Sequence, residues 1–149
     1  MIRPHVHIHV PDQNALDRAI ALHSVFLGEP IKQRPGYVKW EPQSMNICFV
    51  ISIGDPGLSH IGYKGEDASE VLLKVGRLRA LKFDVKEQRN ARCCHAETPY
   101  KGWIHDCASP VEIYYGGVDI TEFGGDHMPN LEQMAAACCA PGSPEDCCP

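Results

Sequence analysis

The apolar spacing of this chain switches from a period of two to a helical period and back, and it does so twice. Residues 5–10, His-Val-His-Ile-His-Val, alternate strictly, which gives a strand one polar and one apolar face. Pro11 and Asp12 stop it, and Asp12 stands where a helix cap belongs. From Ala15 to Phe26 the residues Leu16, Ala19, Ile20, Leu22, Val25 and Phe26 recur at helical spacing, until Gly28 and Pro30 end the run. Tyr37–Trp40 and Ile47–Ile53 read as strands. Asp55-Pro56-Gly57 is a turn or linker, and after it the order repeats. A strand at His60–Lys64 leads into a helix over Asp67–Leu81, and strands follow around Trp103–Ile104 and Val111–Tyr115. The pattern predicts an α+β chain of two tandem βαβββ modules, residues about 1–54 and 58–117, curving around a shared cavity. Beyond Gly116 the texture turns to Gly, Pro, Ala and acidic residues, so 118–149 reads as a flexible, Cys-rich tail.

Composition narrows the function. With 44% hydrophobic and 22% charged residues, the 149-residue chain can pack a core. A formal charge of -5 and no basic stripe argue against nucleic acid, whose phosphates demand Lys and Arg. No apolar run approaches the roughly 20 residues that cross a bilayer, and Met1–Val10 has no signal-peptide core. A cytoplasmic protein with no membrane partner is the expectation. The chain holds 8 Cys and 8 His, and six of the cysteines are adjacent pairs: Cys93–Cys94, Cys138–Cys139 and Cys147–Cys148. Neighbours in sequence rarely bridge each other, because the ring they close is strained. In a reducing compartment such pairs point to capture of a metal or metalloid.

His5 opens the first strand of one module, His60 opens that of the other, and Glu112 lies in the last strand. Two imidazoles and one carboxylate leave positions open on a six-coordinate ion, the donor set of non-haem Fe(II) oxygenases. His7 and His9 share the face of His5 by the period of two, so any of the three is a candidate ligand from spacing alone.

These segments resemble the vicinal oxygen chelate superfamily (glyoxalase, bleomycin-resistance and extradiol dioxygenase relatives), and within it the C–As lyases and cadmium-induced proteins. The resemblance spans residues 1 to about 117. The opening strand places His5, Ser59-His60-Ile61-Gly62 places His60, and Val111-Glu112-Ile113-Tyr114 places Glu112 on the family's three metal positions. Arg92-Cys93-Cys94-His95 matches the vicinal thiols that hold the arsenic of the substrate. The resemblance implies an Fe(II)- and O2-dependent cleavage of the carbon–arsenic bond of trivalent organoarsenicals, with release of arsenite. Other divalent metals would be able to occupy the site on purification. Arg92 and His95 are expected to favour the thiolates, and Cys107 is a further thiol close in sequence to the last strand. The tail thiols Cys138, Cys139, Cys147 and Cys148 are expected to capture a soft ion and deliver it.

Three other functions compete. Non-catalytic sequestration of cadmium or arsenite draws on the thiol density. A glyoxalase-like isomerase and an extradiol dioxygenase would use the metal triad but leave Cys93 and Cys94 idle. The expected partner is a small organoarsenical or a soft metal ion, and the chain is expected to be a monomer or homodimer.

Overall fold

The structure is a computed structural model, and it describes residues 2–105, 109–126 and 129. Its elements run β1 (Arg3–Val10), α1 (Gln13–Leu27), β2 (Lys32–Arg34), β3 (Tyr37–Trp40), β4 (Cys48–Ile53), β5 (Gly57–Gly65), α2 (Ala68–Ala80), β6 (Lys86–His105), β7 (Pro110–Tyr115) and β8 (Val118–Gly125). The predicted order of strand, helix and three strands thus occurs twice, in an α+β chain. The described residues form two compact units, Arg3–Gly62 and Tyr63 onward with Ile2, and the division falls inside β5.

In the N-terminal unit, β1 lies parallel to β4, which pairs antiparallel with β3, which pairs in turn with β2. Asp12 caps α1 by accepting from the Ala15 N–H at 2.8 Å, and Gly28 ends the helix at φ 76°, donating its N–H to the Ser24 carbonyl. Leu16, Val38, Trp40 and Ile51 form the core, with Val10, Ala19, Ile20, Leu27 and Phe49 packed against it. The helical stripe expected from sequence therefore splits. Leu16, Ala19 and Ile20 face the sheet, whereas Leu22, Val25 and Phe26 lie largely in solvent.

In the C-terminal unit, Asp67 caps α2 through the Glu70 N–H at 2.9 Å. Val71 and Val75 pack onto Val85, Tyr100, Ile104 and Ile113. One 20-residue strand, β6, pairs antiparallel with both β7 and β8. Two features depart from the sequence expectation. The first half of β6 was not foreseen, because residues 86–98 carry charges without apolar alternation. Val118–Gly125, expected in the tail, forms β8, because Val118, Ile120 and the glycines at 124 and 125 let it pair along β6. Cys107 and the four tail cysteines lie outside the described residues. Among the described residues, no helix is long and apolar enough to cross a membrane.

Candidate metal and thiol site

Each unit turns one face of its strands to a helix and the other to polar side chains. In the parallel β1–β4 ladder, His5, His7 and His9 are the register partners of Cys48, Val50 and Ser52. Register partners share a face, so the side opposite Leu16 and Ile51 carries three histidines, a thiol and a hydroxyl. Cys48 is buried, as a core residue would be, but it belongs to this histidine face. His60 joins them from β5. Its ring stacks on that of His5 at 5.2 Å between centroids and meets the ring of His7 edge-on at 5.0 Å. One ligand atom from each of His5, His7 and His60 lies within 4.8 Å of the others, a grouping that would hold a metal ion. His9 approaches His7 at 5.0 Å but is not in that group. Hydroxyls brace two of the rings: Ser52 Oγ lies 2.8 Å from His7 Nε2, and Ser59 Oγ lies 3.1 Å from His60 Nδ1. Three imidazoles, two of them braced by hydroxyls, fit a first-row divalent ion.

The other predicted site residues meet in the C-terminal unit. Antiparallel pairing sets Lys101 opposite Tyr114 and Trp103 opposite Glu112, so these four side chains share a face. The alternate residues Tyr100, Ile104 and Ile113 serve the core. Lys101 and Glu112 form an ion pair at 2.7 Å with side chains only 9% and 3% exposed. The Lys101 ammonium also lies 5.8 Å from the ring centres of both Trp103 and Tyr114. Burial alone would push the Lys101 pKa down, yet the Glu112 carboxylate and the nearby thiols carry it above the ordinary lysine value.

Cys93 and Cys94 place their sulfurs 3.6 Å apart. Neighbours in a regular strand point to opposite faces. Here Cys94 takes a positive φ of 55°, which swings its side chain back beside Cys93. The ladder breaks at the same place. Cys94 pairs with Gly124 and Ala96 with Asp119, so two steps along β6 answer to five along β8. Gly124 is required by close approach: a Cβ there would fall 2.3 Å from the Arg92 carbonyl carbon and oxygen. Asp126 fastens the end of β8, accepting from the Arg92 N–H through its side chain and donating its own N–H to the Arg92 carbonyl.

The two thiols titrate apart. A hydrogen bond from Cys94 is the main cause that brings the Cys93 pKa to about 7, against the opposing effect of burial and with help from the Lys101 charge. The same hydrogen bond, burial and the Cys93 charge push Cys94 up. Arg92, expected to act on the thiols, instead faces Glu97 at 3.4 Å, and His95 is buried against Phe123. Among the described residues, the cation that lowers the Cys93 pKa is Lys101, eight residues along the chain. Sequence reasoning passed over Lys101 because a lysine in a strand ordinarily faces water.

The unit also has an open, largely apolar groove of about 630 Å³ along α2, lined by Leu78, Leu81, Phe83, Ile104 and Val111 among others. Ile104 and Ile113 line it, so it lies on the helix side of the strands, opposite Lys101 and Glu112.

No family model matches the chain. It is similar to a trivalent organoarsenical cleaving enzyme of Bacillus sp. strain MD1, at 28% identity over 85% of this chain and 84% of that one. A second enzyme of that name, from Thermomonospora curvata, is 28% identical over 95% of this chain and 90% of its own. Among solved structures, homoprotocatechuate 2,3-dioxygenase of Brevibacterium fuscum superposes with a TM-score of 0.60 at 10% identity, covering 80% of this chain and 33% of that one. A 2,3-dioxygenase of Pseudomonas sp. KL28 gives 0.56 at 17% identity, covering 86% of this chain and 44% of that one. This chain thus spans less than half of either dioxygenase, and at these identities the likeness is one of fold.

Proposed function

We propose that this chain, a relative of the trivalent organoarsenical cleaving enzymes on a vicinal oxygen chelate fold, cleaves the carbon–arsenic bond of trivalent organoarsenicals and releases arsenite. The observation that carries the reading is the separation of the two sulfurs. Two thiolates on one tetrahedral ion with bonds of about 2.3 Å stand about 3.8 Å apart, close to the 3.6 Å between Cys93 and Cys94. A single soft atom bridges such a pair, and trivalent arsenic is soft. Of the competing functions, the isomerase and the catechol dioxygenase have no use for this arrangement.

His5 and His60 would hold Fe(II), with Glu112 as the third ligand carried by the resemblance. Bound there with open positions, Fe(II) would supply the activation of O2. The remaining work belongs to side chains. Cys93, ionised near neutral pH, attacks the arsenic of the arsonous acid R–As(OH)2 first and displaces one hydroxyl, which leaves as water with a proton from solvent; Cys94 then forms the second As–S bond, and its proton leaves with the second hydroxyl as water. Lys101 balances the negative charge that two thiolates and the Glu112 carboxylate bring together. Trp103 and Tyr114 lie beside that ammonium and give the face an apolar, aromatic wall suited to the organic group on arsenic.

The test is anaerobic loading with Fe(II), followed by O2 and a trivalent methyl- or phenylarsenical, with arsenite measured over time. Repeated turnover is expected, and its loss in both Glu112→Gln and Cys93→Ser/Cys94→Ser. Stoichiometric binding without arsenite release would make the chain a sequestering protein instead.

A further inference from the structure

We infer that His7 is a metal ligand, so that the N-terminal unit by itself presents three imidazoles, from His5, His7 and His60, to one ion. The inference rests on the metal reading above and enlarges its ligand set. Three observations carry it. The first is the grouping itself: the ligand atoms of the three histidines lie within 4.8 Å of one another, and all three belong to one compact unit. A first-row ion with Zn–N-like bonds of about 2.0–2.1 Å holds its nitrogens about 3.3 Å apart. Small rotations of the side chains cover that difference. The second is burial. His7 and His60 are only 4% and 6% exposed, so His7 is not a surface histidine that happens to lie near the others.

The third observation is the bracing of the rings. Ligating histidines characteristically hold their second ring nitrogen against a fixed partner, which sets tautomer and orientation. Ser52 Oγ lies 2.8 Å from His7 Nε2 and Ser59 Oγ 3.1 Å from His60 Nδ1, contacts that would play this part with His7 Nδ1 and His60 Nε2 turned to the ion. Ser52 is itself buried, and it comes from β4, one strand over, as the register partner of His9. Its hydroxyl therefore reaches diagonally across the ladder to His7.

A third imidazole changes what the site selects. Nitrogen-rich sets favour the later first-row ions over iron more strongly than mixed nitrogen–oxygen sets do. It also takes one of the coordination positions that two histidines and a carboxylate would leave open.

The experiment uses the full chain, stripped of metal and titrated anaerobically with Co(II). Affinity is read from the d–d absorption and bound metal from elemental analysis. His7→Ala is expected to weaken Co(II) binding at least 100-fold and to change the band shape. Ser52→Ala is expected to weaken it about 10- to 100-fold. Pulsed electron paramagnetic resonance of the unmutated protein loaded with Cu(II) is expected to count three imidazoles, a result that does not depend on any variant folding. If His7→Ala binds and absorbs like the parent, or if two imidazoles are counted, the inference falls. Should that happen while His60→Ala and Glu112→Gln still lose the metal, the two-histidine, one-carboxylate reading survives. If neither of those variants changes binding, the metal reading falls as well.

Discussion

Replacing Lys101 by methionine should cost this protein much of its stability, and the reason lies in Glu112. The two side chains meet at 2.7 Å and are 9% and 3% exposed. Methionine matches the lysine stem in length and removes only the charge. The Glu112 carboxylate then stays buried and loses the Lys101 ammonium. Removing one partner of a buried ion pair costs about 3–5 kcal/mol, against a total of about 5–15 kcal/mol for an ordinary domain. With a urea dependence of about 2 kcal/mol per molar, the unfolding midpoint of the metal-free protein should fall by about 1.5–2.5 M. Trp103 reports on the event, because Lys101 lies 5.8 Å from its ring. A Trp40→Phe background removes the other tryptophan, which belongs to the N-terminal unit. The double variant Lys101→Met/Glu112→Leu removes both charges and should recover most of the loss, since an apolar pair of similar volume is often neutral or better. The reasoning is refuted if Lys101→Met loses under about 1 kcal/mol and the double variant shows simple additivity.

Two further predictions concern the thiols. Site-resolved alkylation of Cys93 should rise with pH through a midpoint near 7, because the thiolate is the reactive form and its pKa is brought to about 7. In Cys94→Ala, which removes the main cause of the shift, the midpoint should move up toward that of an ordinary thiol; an unchanged midpoint would show that the Cys94 hydrogen bond is not the cause. Gly124→Ala would place a methyl 2.3 Å from the Arg92 backbone, so β8 must give way next to the thiols. A loss of about 1–3 kcal/mol and weaker one-to-one capture of a trivalent phenylarsenical are expected, with Co(II) binding intact. Parent-like capture would mean that the close approach does not hold the pair in place.

The elements that announced themselves in the sequence are those whose cause is local. Asp12 and Gly28 bracket α1 because a cap and a positive φ are properties of single residues. The strand of alternating histidines is equally plain, since the period of two shows without its partner. What escaped notice depends on distant pairing. Residues 86–98 stay extended because β8 lies along them, and nothing in their own pattern says so. Lys101 was hidden for the same reason: only the β6–β7 register sets it beside Trp103 and Glu112. Ser52 had no signal in the sequence, because its meeting with His7 depends on which strand lies next to β1. The two cysteines were recognisable as a vicinal pair, but their difference in acidity follows first from the hydrogen bond between them, which the positive φ of Cys94 allows, and then from burial.

The uneven ladder at the thiols makes their geometry a matter of chain length. Between Asp119 and Gly124, β8 carries three residues more than an even pairing with β6 would take up. Deleting three residues from Ile120–Phe123 would let the strands zip evenly past His95. Cys94 would then relax into ordinary extended backbone, and the two sulfurs would part to opposite faces of the strand. Such a shortened chain would still spell Cys-Cys in the same place and would pass any comparison that counts those letters, yet its two sulfurs would no longer lie side by side. The number of residues after the glycine pair at 116 and 117 is therefore as informative about whether the two thiols lie side by side as the presence of the cysteines themselves.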